Sequence, residues 1–474
     1  MMTKKSWLRA LQGCAFLLLL GAVVLAAARL VERKQSRELF GDFLEEPELY
    51  DVLFFGDSQL MNAMLPLEMW EDYGIAGYNL ACYGSVLPTT YWSLVNALDY
   101  AQPRLAVIAV NGMDNPHKVT NYSGDLHTAM DFWPMSANKA RMIDDLLSDP
   151  DDPDYTDVEG YRYRDLRGEF YFKLGKYHSR WSELTEKDFK AQPHHEKGGE
   201  TLVGIAPIWD YELADENDYA EEGGYSYQYL RRAIEECGRR GIEVLLVHLP
   251  APQFINSQRH ANTVSSIAQE YGAGFVDVTY LDSIVDYAVD CFDADPHLNL
   301  SGSLKMTSYL GSYIRAHYDL PDHRGEARYA RWNGDLDAYK DKKLRTICEE
   351  ESLCDLLMLL SDPDVDVRLA IRRDAPIRYD DLGVVLMHNM AREHVLAGEE
   401  YEKSSGFMFP LEGFDEALRS GETYCLRREA GRVTEYTGDD AEAVMCETFG
   451  DKRAPVMIEV IDRRDGSVAA KRMF

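Results

Sequence analysis

No C-x-x-C pair occurs in this chain, and eight cysteines among 474 residues are too sparse for a disulfide framework. Zinc-ribbon and thioredoxin-type chemistry therefore lack a motif. Cys348 with Cys354, or Cys425 with Cys446, could pair outside a cell; free buried thiols are the simpler alternative. Basic charge is also short. Lys and Arg number 50 against 81 Asp and Glu, a net charge of -31. Such a surface repels phosphate backbones, so nucleic acid is excluded as a natural partner. It also opposes a body lying flat on anionic lipid. No internal repeat or low-complexity tract is present, and after the first thirty-odd residues no apolar run is long enough to cross a bilayer.

One such run does exist. Residues 10–28 are nearly all apolar, interrupted by Gln12 and two glycines. As a helix this stretch covers roughly 28 Å, the hydrocarbon thickness of a membrane. Its length exceeds a usual signal core, so an uncleaved anchor over 10–31 is expected. Lys4, Lys5 and Arg9 precede it and Arg29, Arg33, Lys34 and Arg37 follow. The count of basic residues therefore does not choose a side. The short tail 1–9 favours a cytoplasmic N-terminus and an external body.

At 474 residues the chain should divide into two or three units. A charged connector, 32–48, leads to a buried strand over 50–55. Further strands are expected over 77–81, 105–110, 242–247 and 275–278, with helices over 89–101, 225–240, 259–271 and 301–317. This alternation predicts a parallel sheet covered on both faces, a three-layer α/β architecture over 49–320. The stretch 114–224 reads as a large polar insertion with one good helix near 138–147. A polar linker (321–343) follows. A small α/β unit, 344–474, then offers helices over 352–360 and 380–390 and strands over 365–372, 423–427, 456–461 and 468–473. Asp465-Gly466 turns between the last two.

The chemistry concentrates at two loops. Phe55-Gly-Asp-Ser-Gln59 follows the first strand, which puts Ser58 at a strand's carboxyl end and a helix's start. Backbone N–H groups there can face a developing oxyanion. The second is Asp293-Ala-Asp-Pro-His-Leu-Asn299, after the last strand of the sheet. A histidine in that position can reach the serine after the first strand, and a nearby aspartate can orient its ring. His248, ending the fourth strand, is a secondary candidate, and His194-His195 reads as solvated loop. No metal or organic cofactor is required.

These loops resemble those of the SGNH (GDSL-type) hydrolase superfamily, which implies a flavodoxin-like fold and a serine-esterase site. Gly56-Asp57-Ser58 matches the first block, making Ser58 the nucleophile. Tyr78-Asn-Leu-Ala-Cys-Tyr-Gly84 supplies the second, with the N–H groups of Gly84 and Ser58 as oxyanion donors. The third block expects Gly-x-Asn-Asp. Asn111-Gly-Met-Asp-Asn115 stands there with Asp114 at the asparagine position, so Asn111 or Asn115 would have to supply the third donor. The last block expects Asp-x-x-His, and Ala294 occupies that Asp position. Asp295 is favoured over Asp293 as the partner of His297, because Asp-x-His also occurs among polysaccharide-acetylating relatives.

A narrower resemblance rests on residues 126–139, on Tyr177-His-Ser-Arg-Trp-Ser-Glu-Leu184, on Lys197-Gly-Gly-Glu200 and on His297-Leu-Asn-Leu-Ser-Gly302. These look like segments of bacterial membrane-tethered SGNH-like proteins that accompany membrane-bound O-acyltransferases. They are similar to the teichoic acid D-alanyl transfer protein and to alginate acetylation proteins. The resemblance implies acyl transfer to, or removal from, a cell-surface glycan, with a membrane-bound O-acyltransferase as partner. Tyr177, His178, Arg180 and Trp181 would then contact the substrate, or else pack the insertion onto the core. Residues 367–382 and 460–468 faintly resemble an interleukin-like (GG-type) domain, which implies binding by the C-terminal unit. A non-catalytic scaffold holding the acyltransferase and the glycan is the alternative for the whole chain.

Overall fold

The computed structural model describes residues 4–190, 192–209, 211–281, 284–372, 382–390, 411–450, 452 and 454–474. It begins with a helix, Lys4–Val31, of which Leu11–Val31 is long and apolar enough to cross a membrane, with a mean hydropathy of 2.5.

Beyond it lies a mixed α/β body around a parallel sheet. Its strands are β1 (Val52–Phe55), β2 (Gly77–Asn79), β3 (Leu105–Ala109), β4 (Glu243–His248) and β5 (Gly274–Asp277). Their order is β2-β1-β3-β4-β5, all pairs parallel. Every residue of β1 and β3 is buried. Consecutive apolar residues can all be buried only when both faces are covered, which is why these strands read as unbroken Val-Leu-Phe-Phe and Leu-Ala-Val-Ile-Ala runs. Helices Leu87–Ala97 and Gly224–Arg240 pack together, as do Pro66–Tyr73 and Leu300–His317. Gly241 and Gly272 end helices in the left-handed conformation, at φ 73° and 70°.

The insertion is more helical than its polarity suggests. Besides Ala137–Leu146 it holds helices Ser123–Asp131 and Tyr163–Tyr171 and three short helical segments between Leu174 and Lys190. Helix Ser123–Asp131 buries polar Ser123, His127, Thr128 and Asp131 beside its apolar residues, which hides its apolar period.

A second sheet, antiparallel, closes the chain. It comprises β6 (Val365–Ile371), β7 (Tyr424–Glu429), β8 (Arg432–Thr437), β9 (Val456–Asp462) and β10 (Val468–Met473), ordered β10-β9-β6-β7-β8. Leu369, Leu426 and Ile458 face one core, while Ala370, Cys425 and Met457 face another beneath helix Gly438–Phe449, as the period of two requires. Strand β8 and that helix were not expected. The helix expected over 380–390 is described from Leu382, and residues 380 and 381 lie outside the described residues.

The linker expected over 321–343 is corrected. Helix Ala330–Glu349 runs through it, burying Trp332 in the first core and Ile347 in the second. The helix buries only Trp332, Tyr339, Lys343 and Ile347, and its remainder, exposed or half-buried, gives the stretch its polar appearance. The Lys343 ammonium meets Glu68 at 2.5 Å, Asp364 at 2.8 Å and Asp362 at 3.2 Å, adding charge to the apolar contact of Leu65, Leu300 and Leu304 with the C-terminal core. All eight cysteines are free thiols.

Candidate active site

Asp57, at the end of β1, caps helix Ser58–Ala63: its carboxylate accepts the N–H of Gln59 at 3.1 Å. Burial raises its carboxyl pKa despite the imidazole of His297 nearby. Ser58 is thereby the first helical residue, with its backbone N–H among those a helix leaves unpaired. Gly56 is required by proximity, since a Cβ there would lie 2.7 Å from that of Ala109 on β3.

The second loop is pinned at its neck. Cys291 pairs with Leu298 in an antiparallel bridge, Phe292 N–H donates to the His297 carbonyl at 2.7 Å, and Asn299 N–H donates to that of Asp290 at 3.0 Å. Asn299 then caps helix Leu300–His317 by accepting from Gly302 N–H, while its amide donates to Val289 and Gly204. Gly302 has no room for a side chain, because a Cβ would sit 2.6 Å from the Asp290 carbonyl. His-Leu-Asn-x-Ser-Gly is thus a capping device that holds His297.

Across the two loops, Ser58 Oγ lies 2.7 Å from His297 Nε2. His297 Nδ1 lies 2.8 and 2.9 Å from the two carboxylate oxygens of Asp293. This corrects the expectation for Asp295. The closed neck sets 293 against 297, while 294–296 form the tip. Asp295 is exposed there and meets Gln59 only through its carbonyl, 3.0 Å away. Asp293 is further steadied by accepting the N–H groups of Asp295 and His297.

Ser58, His297 and Asp293 line a cavity of about 740 Å3. Gly84 joins them, in the left-handed region at φ 56°, where a Cβ would approach Asp125 Oδ2 to 2.7 Å. The described residues make no hydrogen bond to the N–H of Ser58 or Gly84. Asn111 and Asn115 do not line the cavity. The Asn111 amide is engaged at both ends with Leu249, donating to its carbonyl and accepting its N–H, which ties β3 to β4. Asn115 accepts from His117 N–H within its own turn.

Of the insertion residues, Tyr177 and Arg180 line the cavity; His178 and Trp181 do not. Tyr177 is buried and its hydroxyl donates to Asp131. His178 is exposed and bonds the Gly175 carbonyl, and Trp181 is 53% exposed. His195 is partnered rather than solvated: Arg331 donates to its Nδ1 at 2.9 Å.

Asn62, Tyr83 and His127 were not singled out in the sequence, and Asp131 only as part of the 126–139 resemblance; all four are on the cavity wall. Asn62 stands one helical turn after Ser58, a spacing that places both on one face. Its amide donates to the Glu200 carbonyl, and Tyr83 bonds the Glu200 carboxylate. Glu200 arrives there because Gly198 (φ 77°) lets Lys197-Gly-Gly-Glu200 cross β2, where a Cβ would lie 1.8 Å from the Asn79 carbonyl. His127 Nδ1 lies 3.2 Å from Asp131. Burial would raise the Asp131 pKa, but that bond and the Lys173 and Lys139 ammonium groups hold it below the usual value.

A second Ser-His-Asp chain lies at the carboxyl end of β4. His248 bonds Asp277 at 2.9 Å and Ser257 at 3.2 Å. His248 is wholly buried, Ser257 donates to the Asn111 carbonyl, and neither lines the cavity. It has the connectivity of a nucleophile relay without a surface to act on. Among the described residues, no cluster of His, Cys, Asp and Glu has the arrangement of a metal site.

No protein-family model and no curated protein matches this sequence. Among solved structures, a proposed acylhydrolase from Bacteroides fragilis is similar at 13% identity, covering 60% of this chain and 98% of its own, with a TM-score of 0.29. That likeness is too slight to bear on the chemistry, which rests on the geometry above.

Proposed function

We propose that this chain is a membrane-anchored SGNH-like serine acyltransferase or esterase, acting outside the cytoplasm on O-acyl groups of a cell-surface glycan. The observation that carries the chemistry is the Ser58–His297–Asp293 alignment inside an open cavity. The β2-β1-β3-β4-β5 order supports the flavodoxin-like assignment.

Ser58 Oγ attacks the acyl carbonyl as its proton passes to His297 Nε2. Asp293 holds the ring with its Nδ1–H inward and stabilises the imidazolium. The N–H groups of Ser58 and Gly84 receive the oxyanion. Collapse breaks the ester C–O bond, and the departing alkoxide takes the proton from Nε2. The acyl group is then on Ser58. A glycan hydroxyl, or water, gives its proton to His297 Nε2 and attacks that ester; the acyl C–Oγ bond breaks and Oγ takes the proton from Nε2, restoring free Ser58.

The test is turnover of p-nitrophenyl acetate by the full chain in detergent, with Ser58→Ala and His297→Ala beside it. Loss in both variants supports the relay; equal turnover in all three would sink it. The scaffold reading draws on the engaged Asn111, which leaves the third oxyanion donor without a candidate. It expects a membrane acyltransferase to co-purify equally with Ser58→Ala, with surface acylation unchanged.

A further inference from the structure

Part of the cavity wall is built from the chain that leaves the apolar helix. Arg33, Gln35 and Ser36, immediately after Val31, line the same cavity as Ser58 and His297. They are locked to the insertion. Arg180 donates to the Val31 carbonyl at 2.7 Å, Lys173 meets Glu32 at 3.2 Å, and Ser36 accepts the Phe132 N–H at 2.9 Å.

The insertion also grips the apolar helix itself. Val24, Ala27 and Ala28 are partly covered and Val31 is fully buried, whereas Val23, Leu25, Ala26 and Arg29 are exposed. Positions 24, 27, 28 and 31 form one helical face. The elements packed on this helix are the three short helical segments between Leu174 and Lys190. At 1.5 Å per residue, the covered face extends about 10 Å back from Val31 along a helix that needs roughly 20 residues to cross a bilayer. A helix seated in a membrane therefore draws the gripping segments down to the level of the lipid headgroups.

Those segments have the composition that level demands. Trp181 is 53% and Phe189 66% exposed, with Phe172 (51%) just before them. Over 171–190 five basic side chains stand against three acidic ones, in a protein of net charge -31. Exposed aromatics beside lysines on short helices are what an interfacial, non-spanning element presents to lipid.

We propose that residues 172–190 form a foot embedded in the bilayer surface beside the anchor, with Trp181 and Phe189 among lipid chains. The Ser58 cavity then opens at the headgroup plane and takes an acyl ester or alcohol carried at that plane. This inference rests on the membrane-anchor reading above and extends it to the substrate's location.

The experiment uses the full chain in lipid nanodiscs, with and without lipids brominated near the carboxyl end of their chains. The emission difference between wild type and Trp181→Phe isolates Trp181. The difference for Trp7→Phe isolates Trp7, at the far end of the anchor helix. Bromine should remove most of both differences. Quenching of Trp7 with Trp181 unaffected would overturn the foot while leaving the anchor intact, and would give the aromatic strip to a protein partner. Quenching of neither would overturn the anchor, and the foot with it.

Discussion

Asp293 and His297, four residues apart, face each other across the neck of one loop, with both carboxylate oxygens within 2.9 Å of Nδ1. Asn at 293 keeps the shape but loses the charge that favours imidazolium. Asp293→Asn should lower ester turnover roughly 10²- to 10⁴-fold. Asp295→Asn, at the exposed tip, should leave turnover close to wild type. Steady-state kinetics of the two variants side by side tests the assignment; the reverse pattern would restore Asp295.

The buried Ser257–His248–Asp277 chain makes a contrasting prediction. Ser257→Ala strands the Asn111 carbonyl and one nitrogen of His248 in a dry site. Stability should fall by about 1–3 kcal/mol, with turnover per folded molecule unchanged. Urea melts paired with the ester assay separate the two effects.

Lys343 sits among three carboxylates from both halves of the body. Removing its charge leaves the buried Glu68 and Asp362 without that counter-charge, while the partly exposed Asp364 keeps only Lys340 at 2.8 Å. Lys343→Met should therefore lose about 3–5 kcal/mol, read as a lower midpoint in thermal or urea unfolding. An unchanged midpoint would mean that water already reaches the cluster.

Asp72 supplies a pH dependence. Burial, with Glu71 and Asp364 nearby, raises its pKa from 3.8 to about 6. The native state thus holds this proton more tightly than the unfolded chain does. The group is neutral in both states below pH 3.8, and its destabilising effect grows as the pH rises from there to about 6, then stays constant. Asp72→Asn should raise the melting temperature at pH 7.5, with the gain shrinking as the pH falls toward 4. A gain that is the same at both pH values would contradict the shift.

Much of this molecule is decided by short-range pattern. The apolar run ending at Val31, the buried segments of β1, β3 and β4 and the Asp465-Gly466 turn are legible because burial on both faces, or on alternate ones, writes its own period into the residues. Ser58 and His297 are legible for a similar reason: parallel sheets bring their strand ends to one edge, so two loops far apart in sequence must meet. The pairing of His297 with Asp293 rather than Asp295 required the Cys291–Leu298 bridge, a contact that spacing alone does not reveal. Sequence favoured His297 but kept His248 as a second candidate. Both follow strands and both have an aspartate and a serine in reach, and only packing shows which one a cavity exposes. The dual duty of helix Ala330–Glu349, and the grip of 174–190 on the anchor, were hidden because their partners lie far off in sequence (149 residues for Arg180 and Val31, 275 for Lys343 and Glu68) and meet them through charge and small apolar faces, which leave no period in the chain.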